Sequence, residues 1–127
     1  MSPIFLTVDE VIEIHQDQID RYGGSPGLRD AILLDSALAQ PAATFSGQYL
    51  HADLFEMAAA YLYHIVLNHP FIDGNKRVGT VAAFVFLEMN DVEIIVPEEE
   101  LEALVLQVAQ GQCEKAAVAT FFRQYRL

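Results

Sequence analysis

The sequence predicts an all-α fold, a bundle of about six helices that occupies residues 1–127 as one domain and carries a single small hairpin. Two observations predict this class. Apolar residues recur at helical spacing in segments that glycine and proline separate. Hydrophobic residues also make up 53% of the 127 residues, which favours a folded core over disorder.

Two helices are expected in the N-terminal third. Thr7 fits the N-cap of the first helix because Glu10, three residues later, can complete a capping box. Apolar positions continue at helical spacing to Tyr22, where paired glycines end the helix. The spacing predicts a second, shorter helix over Leu28–Ala39, which ends before Pro41.

The next segment is predicted to be non-helical. Residues 41–51, with the sequence PAATFSGQYLH, lack a helical period and have Thr44, Ser46 and Gly47 at their centre. Because such residues favour turns, we expect a loop or small hairpin here.

Four more helices and one short strand complete the predicted bundle. The third and fourth helices are expected over residues 53–68 and 75–90. The fourth is apolar nearly all round, which predicts a central, buried helix. The run VEIIV at 92–96 favours a short strand. The last two helices are expected over 98–110 and 114–125, separated by a glycine.

The composition excludes several classes of protein. With 18 acidic residues against 7 basic ones, the net charge of -11 argues against a nucleic-acid partner, which needs a basic face. A single cysteine, Cys113, rules out an internal disulfide and a cysteine-based zinc site. The N-terminus shows no targeting signal, and the longest uncharged apolar run, Val78–Leu87, falls short of the ~20 residues that a bilayer requires. We expect a cytoplasmic protein without a membrane partner.

The segment HPFIDGNKR, residues 69–77, places two cations where helix stability disfavours them. Lys76 and Arg77 follow Asn75 at the start of the fourth helix, where the helix dipole favours acidic side chains. The first backbone N–H groups of a helix have no internal partner and bind anions readily. Two cations strengthen such a site for phosphate, so the sequence predicts an anionic ligand here.

Asp73 and His69 indicate what happens to that ligand. A carboxylate repels a phosphate unless a cation bridges them, and Mg²⁺ commonly does so with carboxylates, waters and the oxygens of a nucleoside triphosphate. His69 carries a side chain suited to accepting a proton near neutral pH. A base, a metal carboxylate and a phosphate cradle within nine residues predict phosphoryl or nucleotidyl transfer, with Mg²⁺ and a di- or triphosphate. His64 and His15 are expected to be packed or exposed. Arg29 could reach the site, but capping near Asp30 or solvation is the expected role.

This segment resembles the signature of the Fic/Doc family, His-x-Phe-x-(Asp/Glu)-Gly-Asn-(Gly/Lys)-Arg. The signature positions all match, and they are His69, Phe71, Asp73, Gly74, Asn75, Lys76 and Arg77. The similarity covers nearly the whole chain, because YGGSPGLRD, LLDSALAQP, ATFSGQ and FEMAAAYLYHIVLNHPF also resemble the small death-on-curing (Doc) toxins of this family. The resemblance implies a Fic fold.

The resemblance also implies a role for each matching residue. His69 corresponds to the base that takes a proton from a target hydroxyl, and Asp73 corresponds to the Mg²⁺ ligand. Gly74 and Asn75 correspond to a nest of backbone and side-chain groups that binds phosphate, and Arg77 corresponds to a phosphate-binding arginine. Phe71 is similar to the apolar anchor that pins the loop into the core.

A flap over the site is implied by the same resemblance. Residues 42–49 resemble the segment that, in the family, aligns a target chain by strand addition. The central residues of this expected flap are Thr44, Phe45, Ser46, Gly47 and Gln48.

Lys76 and Thr80 depart from the commonest form of the signature. Most Fic enzymes transfer AMP to a hydroxyl, and they have Gly in place of Lys76 and a second Arg in place of Thr80. The lysine variant resembles the Doc branch, in which the nucleotide lies reversed and its terminal phosphate moves. The resemblance therefore implies a toxin that uses Mg²⁺ and ATP, or another nucleoside triphosphate, to phosphorylate a Ser or Thr hydroxyl of elongation factor Tu and arrests translation. AMP transfer is the alternative.

The sequence lacks an inhibitory motif of its own, which bears on how the protein is regulated. No Ser or Thr is followed four residues later by Glu, so the inhibitory motif (Ser/Thr)-x-x-x-Glu-(Gly/Asn) of many Fic proteins is missing. We therefore expect a separate small antitoxin protein that binds in trans through a disordered tail, which folds along a groove. A catalytically silent module that binds a nucleotide or a partner stays open, and so, more weakly, does a hydrolase of small phosphates.

Overall fold

The computed structural model describes residues 2–127 and contains, within that part of the chain, six helices and one two-stranded hairpin. In chain order the elements are α1 (Val8–Tyr22), α2 (Ala31–Ala39), β1 (Thr44–Phe45), β2 (Gln48–Tyr49), α3 (Leu54–Asn68), α4 (Asn75–Met89), α5 (Glu98–Ala109) and α6 (Lys115–Gln124). The predicted all-α class with one small hairpin is confirmed. None of the helices in the described chain has both the length and the apolar sequence needed to cross a membrane.

Side-chain caps begin the first three helices, whereas α4 starts differently. The Thr7 hydroxyl accepts a hydrogen bond from the Glu10 N–H at 3.2 Å, and the Glu10 carboxylate accepts one from the Thr7 N–H at 2.9 Å. The predicted capping box of α1 is therefore confirmed. Asp30 and Asp53 cap α2 and α3 through their carboxylates. At α4 the cap position is Gly74, which has no side chain to offer to the first N–H groups of that helix.

The core is built around α3, which packs against α2, α4, α5 and α6. Tyr61, Leu62 and Ile65 of α3 are fully buried. The backbone of α4 comes close to α3 at Gly79, where a Cβ would lie 3.0 Å from Cγ2 of Val66 and 3.2 Å from the carbonyl oxygen of Leu62. As predicted, the fourth helix is largely enclosed, with only Lys76 and Glu88 of α4 exposed, although α3 is the more central of the two helices. The close packing of this pair fixes the two ends of the segment that joins them.

One predicted helix boundary is wrong because the chain there contacts a distant segment. The second helix begins at Ala31 and not at Leu28. Leu28 instead forms an isolated β-bridge with Phe71, and the next two N–H groups both donate to the carbonyl of Pro70, at 2.7 and 3.0 Å. These residues are extended because they pair with the loop between α3 and α4.

The strand predicted at residues 92–96 is also wrong. Within residues 2–127 this run makes a single isolated bridge, between Ile94 and Arg126, and no strand ladder. Hydrogen bonds from the N–H of Ile95 to the Tyr125 carbonyl, and from the N–H of Leu127 to the Glu93 carbonyl, flank the bridge. The β-branched run has only the last few residues of the chain as a partner, so it attaches them to the bundle without forming a sheet.

Candidate active site

The segment 69–77 joins the end of α3 to the start of α4, and its first residue has an unusual backbone conformation. His69 is the C-cap of α3 and has left-handed angles, φ 51° and ψ 53°, with its N–H donating to the Ile65 carbonyl at 3.1 Å. This conformation costs a residue other than glycine about 1–2 kcal/mol, and such strain concentrates at functional sites. The turn leaves the His69 side chain exposed at the edge of a cleft.

This cleft, of about 410 Å³, brings the predicted site residues together. Its lining consists of Val66, Leu67, His69, Asp73, Gly74, Asn75, Lys76, Arg77 and Ala109. All residues that the sequence predicted for proton transfer, metal binding and phosphate binding are among them. We call this space the His69 cleft.

Phe71 is buried and does not line the cleft, and the Asn75 side chain binds its backbone. Phe71 is 1% exposed, and Asn75 is 4% exposed. The Phe71 N–H donates to Asn75 Oδ1, and Asn75 Nδ2 donates to the Phe71 carbonyl, both at 2.9 Å. Because this reciprocal pair occupies the Asn75 side chain, the contribution of Asn75 to an anion site falls to its backbone N–H group.

Two backbone N–H groups orient the Asp73 carboxylate. Oδ2 accepts from the Ser25 N–H at 3.1 Å, and Oδ1 accepts from the Gly74 N–H at 2.8 Å. These hydrogen bonds lower the pKa of Asp73 below its ordinary value, so the carboxylate is ionised at neutral pH. Gly24 permits the approach, since a Cβ there would lie 2.7 Å from Asp73 Oδ2. The carboxylate is exposed and keeps lone pairs free for a cation.

The start of α4 presents an uncapped helix end and two cations to the cleft. Gly74 has a left-handed φ of 81° and begins the helix without a side-chain cap. Lys76 is exposed, and Arg77 is half-buried with its Nη1 3.4 Å from the carbonyl of Gln18 on α1. The helix dipole and both cations favour an anion at this end of the helix.

A second cavity of about 470 Å³ also touches the two cations, which line both spaces. The rest of its lining is apolar, neutral polar or acidic and consists of Gln18, Thr80, Val81, Glu98, Leu101, Glu102, Val105 and Leu106. The Thr80 hydroxyl donates to the Lys76 carbonyl at 2.8 Å. Lys76 and Arg77 are therefore the only cations among the residues that line either cavity.

The predicted flap is an exposed hairpin. Its two strands pair antiparallel around Ser46 and Gly47, whose φ angles of 53° and 79° suit a two-residue hairpin turn. All five central flap residues are exposed, and none lines the His69 cleft; they are Thr44, Phe45, Ser46, Gly47 and Gln48. Their alignment of a target chain stays a prediction.

Two residues that sequence reasoning did not assign to the site contact its loop. His15 lies with its Nε2 2.9 Å from the Asp73 carbonyl oxygen, and Arg29 donates to the carbonyls of Asn68 and His69. His15 is packed, which is one of the two environments expected for it, and Arg29 is exposed as expected but also bonds to the loop. These partners are 58 and 40 residues away in sequence, so no local pattern signals them.

Comparison with known proteins finds a matching family and similar relatives. A sequence model of the Fic/DOC family matches residues 5–87, which include the whole segment 69–77. A protein of Mycolicibacterium smegmatis named Toxin Doc is 37% identical over 100 residues, which cover 77% of each chain. A protein of Escherichia phage P1 named Protein kinase doc is 32% identical over 119 residues, which cover 94% of this chain and 93% of that protein.

Replacing Asn75 with alanine is expected to destabilise the site loop. The N–H and carbonyl of Phe71 lose their partners in a buried environment, so the free energy of unfolding should fall by about 2–4 kcal/mol. Urea denaturation at pH 7 measures this change. As a control, Asn68→Ala removes a single hydrogen bond, to the Leu33 carbonyl at 3.0 Å, and should cost about 1 kcal/mol. A loss in Asn75→Ala no larger than in this control would contradict the role of the reciprocal pair.

Proposed function

The chain belongs to the Fic/DOC family, and on that basis we propose that it transfers the terminal phosphate of ATP, or of another nucleoside triphosphate, to a Ser or Thr hydroxyl of a protein. His69 is the proposed base and Asp73 the proposed magnesium ligand. The proposed phosphate site is the start of α4, Gly74 and Asn75, with Lys76 and Arg77. Its first backbone donor is the Asn75 N–H, since the Gly74 N–H donates to Asp73 Oδ1. We also propose that the protein is the toxin of a toxin–antitoxin pair and acts in the cytoplasm.

The observation that carries this proposal is the small number of cations near His69. A triphosphate with its innermost phosphate beside His69 needs further cations for its two outer phosphates. Lys76 and Arg77 are the only cations that line either cavity, and the second cavity adds carboxylates instead. Two cations and a helix N-terminus are enough to bind a single phosphate group at the start of α4. The charges therefore favour the terminal phosphate, and not the innermost one, beside His69.

The donor set around Asp73 fits a magnesium ion that arrives with the nucleotide. Within residues 2–127, no three His, Cys, Asp or Glu residues gather into a metal site of their own. Mg²⁺ typically binds through one or two carboxylates, several waters and phosphate oxygens, so a single ionised and oriented carboxylate is a suitable protein ligand. When bound, the ion would neutralise part of the phosphate charge.

The residues of the cleft can then divide the work of phosphoryl transfer. His69 takes the proton from the target hydroxyl while the hydroxyl oxygen attacks the terminal phosphorus. The bond between that phosphorus and the bridging oxygen breaks, and the nucleoside diphosphate leaves with the electron pair. The backbone N–H groups of α4, with Lys76 and Arg77, stabilise the charge on the phosphoryl oxygens. His69 is exposed and can release its proton to solvent.

The proposed target and regulator rest on similarity. One relative is named a toxin and the other a protein kinase. We therefore propose that phosphorylation of elongation factor Tu arrests translation and that a small antitoxin restrains the enzyme in trans. The missing internal inhibitory motif supports a separate antitoxin. The exposed residues of the hairpin strands, Thr44–Phe45 and Gln48–Tyr49, support its proposed role in aligning the target chain.

Transfer of label from ATP tests the proposed reaction. Purified protein, Mg²⁺ and a bacterial lysate are incubated with ATP labelled on either the terminal or the innermost phosphate. Wild type and His69→Ala are compared. We expect a protein to acquire label only from the terminal phosphate, and His69→Ala to lower the rate by at least ~100-fold because the base is lost.

The other outcomes separate the alternatives. Label from only the innermost phosphate would show AMP transfer and contradict the proposal. Release of labelled phosphate without labelled protein would indicate a hydrolase. Label from neither position, together with growth arrest that survives His69→Ala when the protein is expressed alone, would indicate a binding module that acts by occupancy.

Substitution of Lys76 tests the basis of the phosphate choice. Lys76→Gly removes one of the two cations at the cleft, and we expect terminal-phosphate transfer to fall about 10–100-fold, the size of a lost charge-assisted hydrogen bond. Adding Thr80→Arg to Lys76→Gly supplies charge for outer phosphates and should raise transfer from the innermost phosphate. Lys76→Arg, which keeps charge and bulk, is the matched control. An unchanged transferred group in the double variant would contradict the charge argument.

A further inference from the structure

His15 contacts the end of the site loop that carries the Asp73 carboxylate. It lies on α1 with 3% exposure, and its ring stacks on that of Phe71 with 4.0 Å between centroids and 6° between planes. Nε2 lies 2.9 Å from the Asp73 carbonyl oxygen. Because a carbonyl can only accept, Nε2 carries the proton and donates. The imidazole thus fixes the backbone of the residue whose carboxylate faces the cleft.

Arg29 contacts the opposite end of the loop, next to His69. Its Nε donates to the His69 carbonyl at 2.7 Å, and its Nη2 donates to the Asn68 carbonyl at 3.0 Å. These carbonyls end α3, where the helix dipole is negative, so a guanidinium there forms charge-assisted bonds at a favourable position. The Arg29 N–H also donates to the Pro70 carbonyl at 2.7 Å. Arg29 therefore holds the backbone where His69 has its left-handed conformation.

The polar interactions of both residues lie outside the hydrophobic core. Arg29 lies at the surface, so its loss opens no cavity. The hydrogen bond of His15 Nε2 goes to a loop carbonyl, and its ring packs against Phe71 of the same loop. Both polar interactions end on backbone atoms of the loop that carries the proposed base and the proposed metal ligand. This placement favours a role in setting their positions.

We propose that His15 and Arg29 are positioning residues, with His15 setting the orientation of Asp73 and Arg29 that of His69. The inference rests on the proposed function, in which Asp73 binds magnesium and His69 takes the proton. The effects of the two residues can be measured separately, because each residue acts on a different step. Loss of the His15 hydrogen bond weakens the use of Mg²⁺, and loss of the Arg29 hydrogen bonds slows the chemical step.

Paired substitutions test this division of roles. His15→Phe keeps the stacked ring and removes the donor, whereas His15→Gln retains a side-chain N–H. Arg29→Met keeps the apolar stem and removes the donors, whereas Arg29→Lys restores a charged donor. We expect His15→Phe to raise the half-saturating Mg²⁺ concentration about 10-fold with little change in kcat at saturation. Arg29→Met should lower kcat about 10–100-fold with little change in Mg²⁺ dependence, because a misplaced base loses most of its effect. Both conservative variants should recover most of the loss.

A second readout does not depend on catalysis. NMR chemical shifts of the Gly74 amide and of the His69 ring are followed in each variant without nucleotide and during titration with Mg²⁺ and ATP. His15→Phe should shift the Gly74 amide and weaken its response to Mg²⁺, and Arg29→Met should shift the His69 ring.

The two readouts distinguish failure of the inference from failure of the proposed function. If wild type transfers no phosphate, the proposed function fails, and the chemical shifts still test the positioning. Unchanged Gly74 and His69 shifts in both variants would overturn the inference. Equal losses of kcat and Mg²⁺ affinity in both variants, matched by lower Tm and not recovered by the conservative variants, would also overturn it, because they indicate a purely structural role.

Discussion

The site depends on the reciprocal hydrogen bonds between the Asn75 side chain and the Phe71 backbone. These two bonds, both at 2.9 Å in a buried environment, fold the loop back on itself and draw the Phe71 ring into the core. Asn75 is the first residue of α4, but its side chain points back to the loop and does not serve the helix. Gly74 is left as the cap, so the first N–H groups of α4 remain uncapped. An uncapped helix end stabilises the fold less, and it gives a phosphate a place to bind.

Other residues at the site also have conformations or positions that are locally unfavourable. His69 keeps a left-handed backbone conformation, and Lys76 and Arg77 lie at the positive end of a helix dipole. Strain of this kind persists only where surrounding contacts determine it. Here the close approach of α3 and α4 at Gly79, and hydrogen bonds from the segment before α2, supply those contacts. Although the chain has a net charge of -11, these contacts hold two adjacent cations at one defined place, the start of α4.

Local signals in the sequence predicted most of the fold. They also predicted every ionisable residue that lines the cleft. Thr7 and Glu10 lie three residues apart, so the capping box could be recognised from sequence, and helical spacing revealed α3 and α4. What failed was long-range pairing. Leu28 was predicted to be helical, since its pairing with the remote residue Phe71 leaves no local signal. Residues 92–96 were predicted to form a strand, but they pair only with the end of the chain. The hydrogen bonds from Arg29 to the site loop also join residues that are remote in sequence.

The most direct measurement is calorimetric binding of ATP, ADP, AMP and adenosine in the presence of Mg²⁺, at two salt concentrations. If the start of α4 is a phosphate cradle, affinity should fall as phosphates are removed, by at least ~10-fold from ATP to AMP, and should weaken in higher salt. Arg77→Gln should reduce the difference between ATP and AMP. Arg123→Gln, which removes a cation from α6, should not. Adenosine that binds as tightly as ATP, with no effect of salt or of Arg77→Gln, would contradict this account.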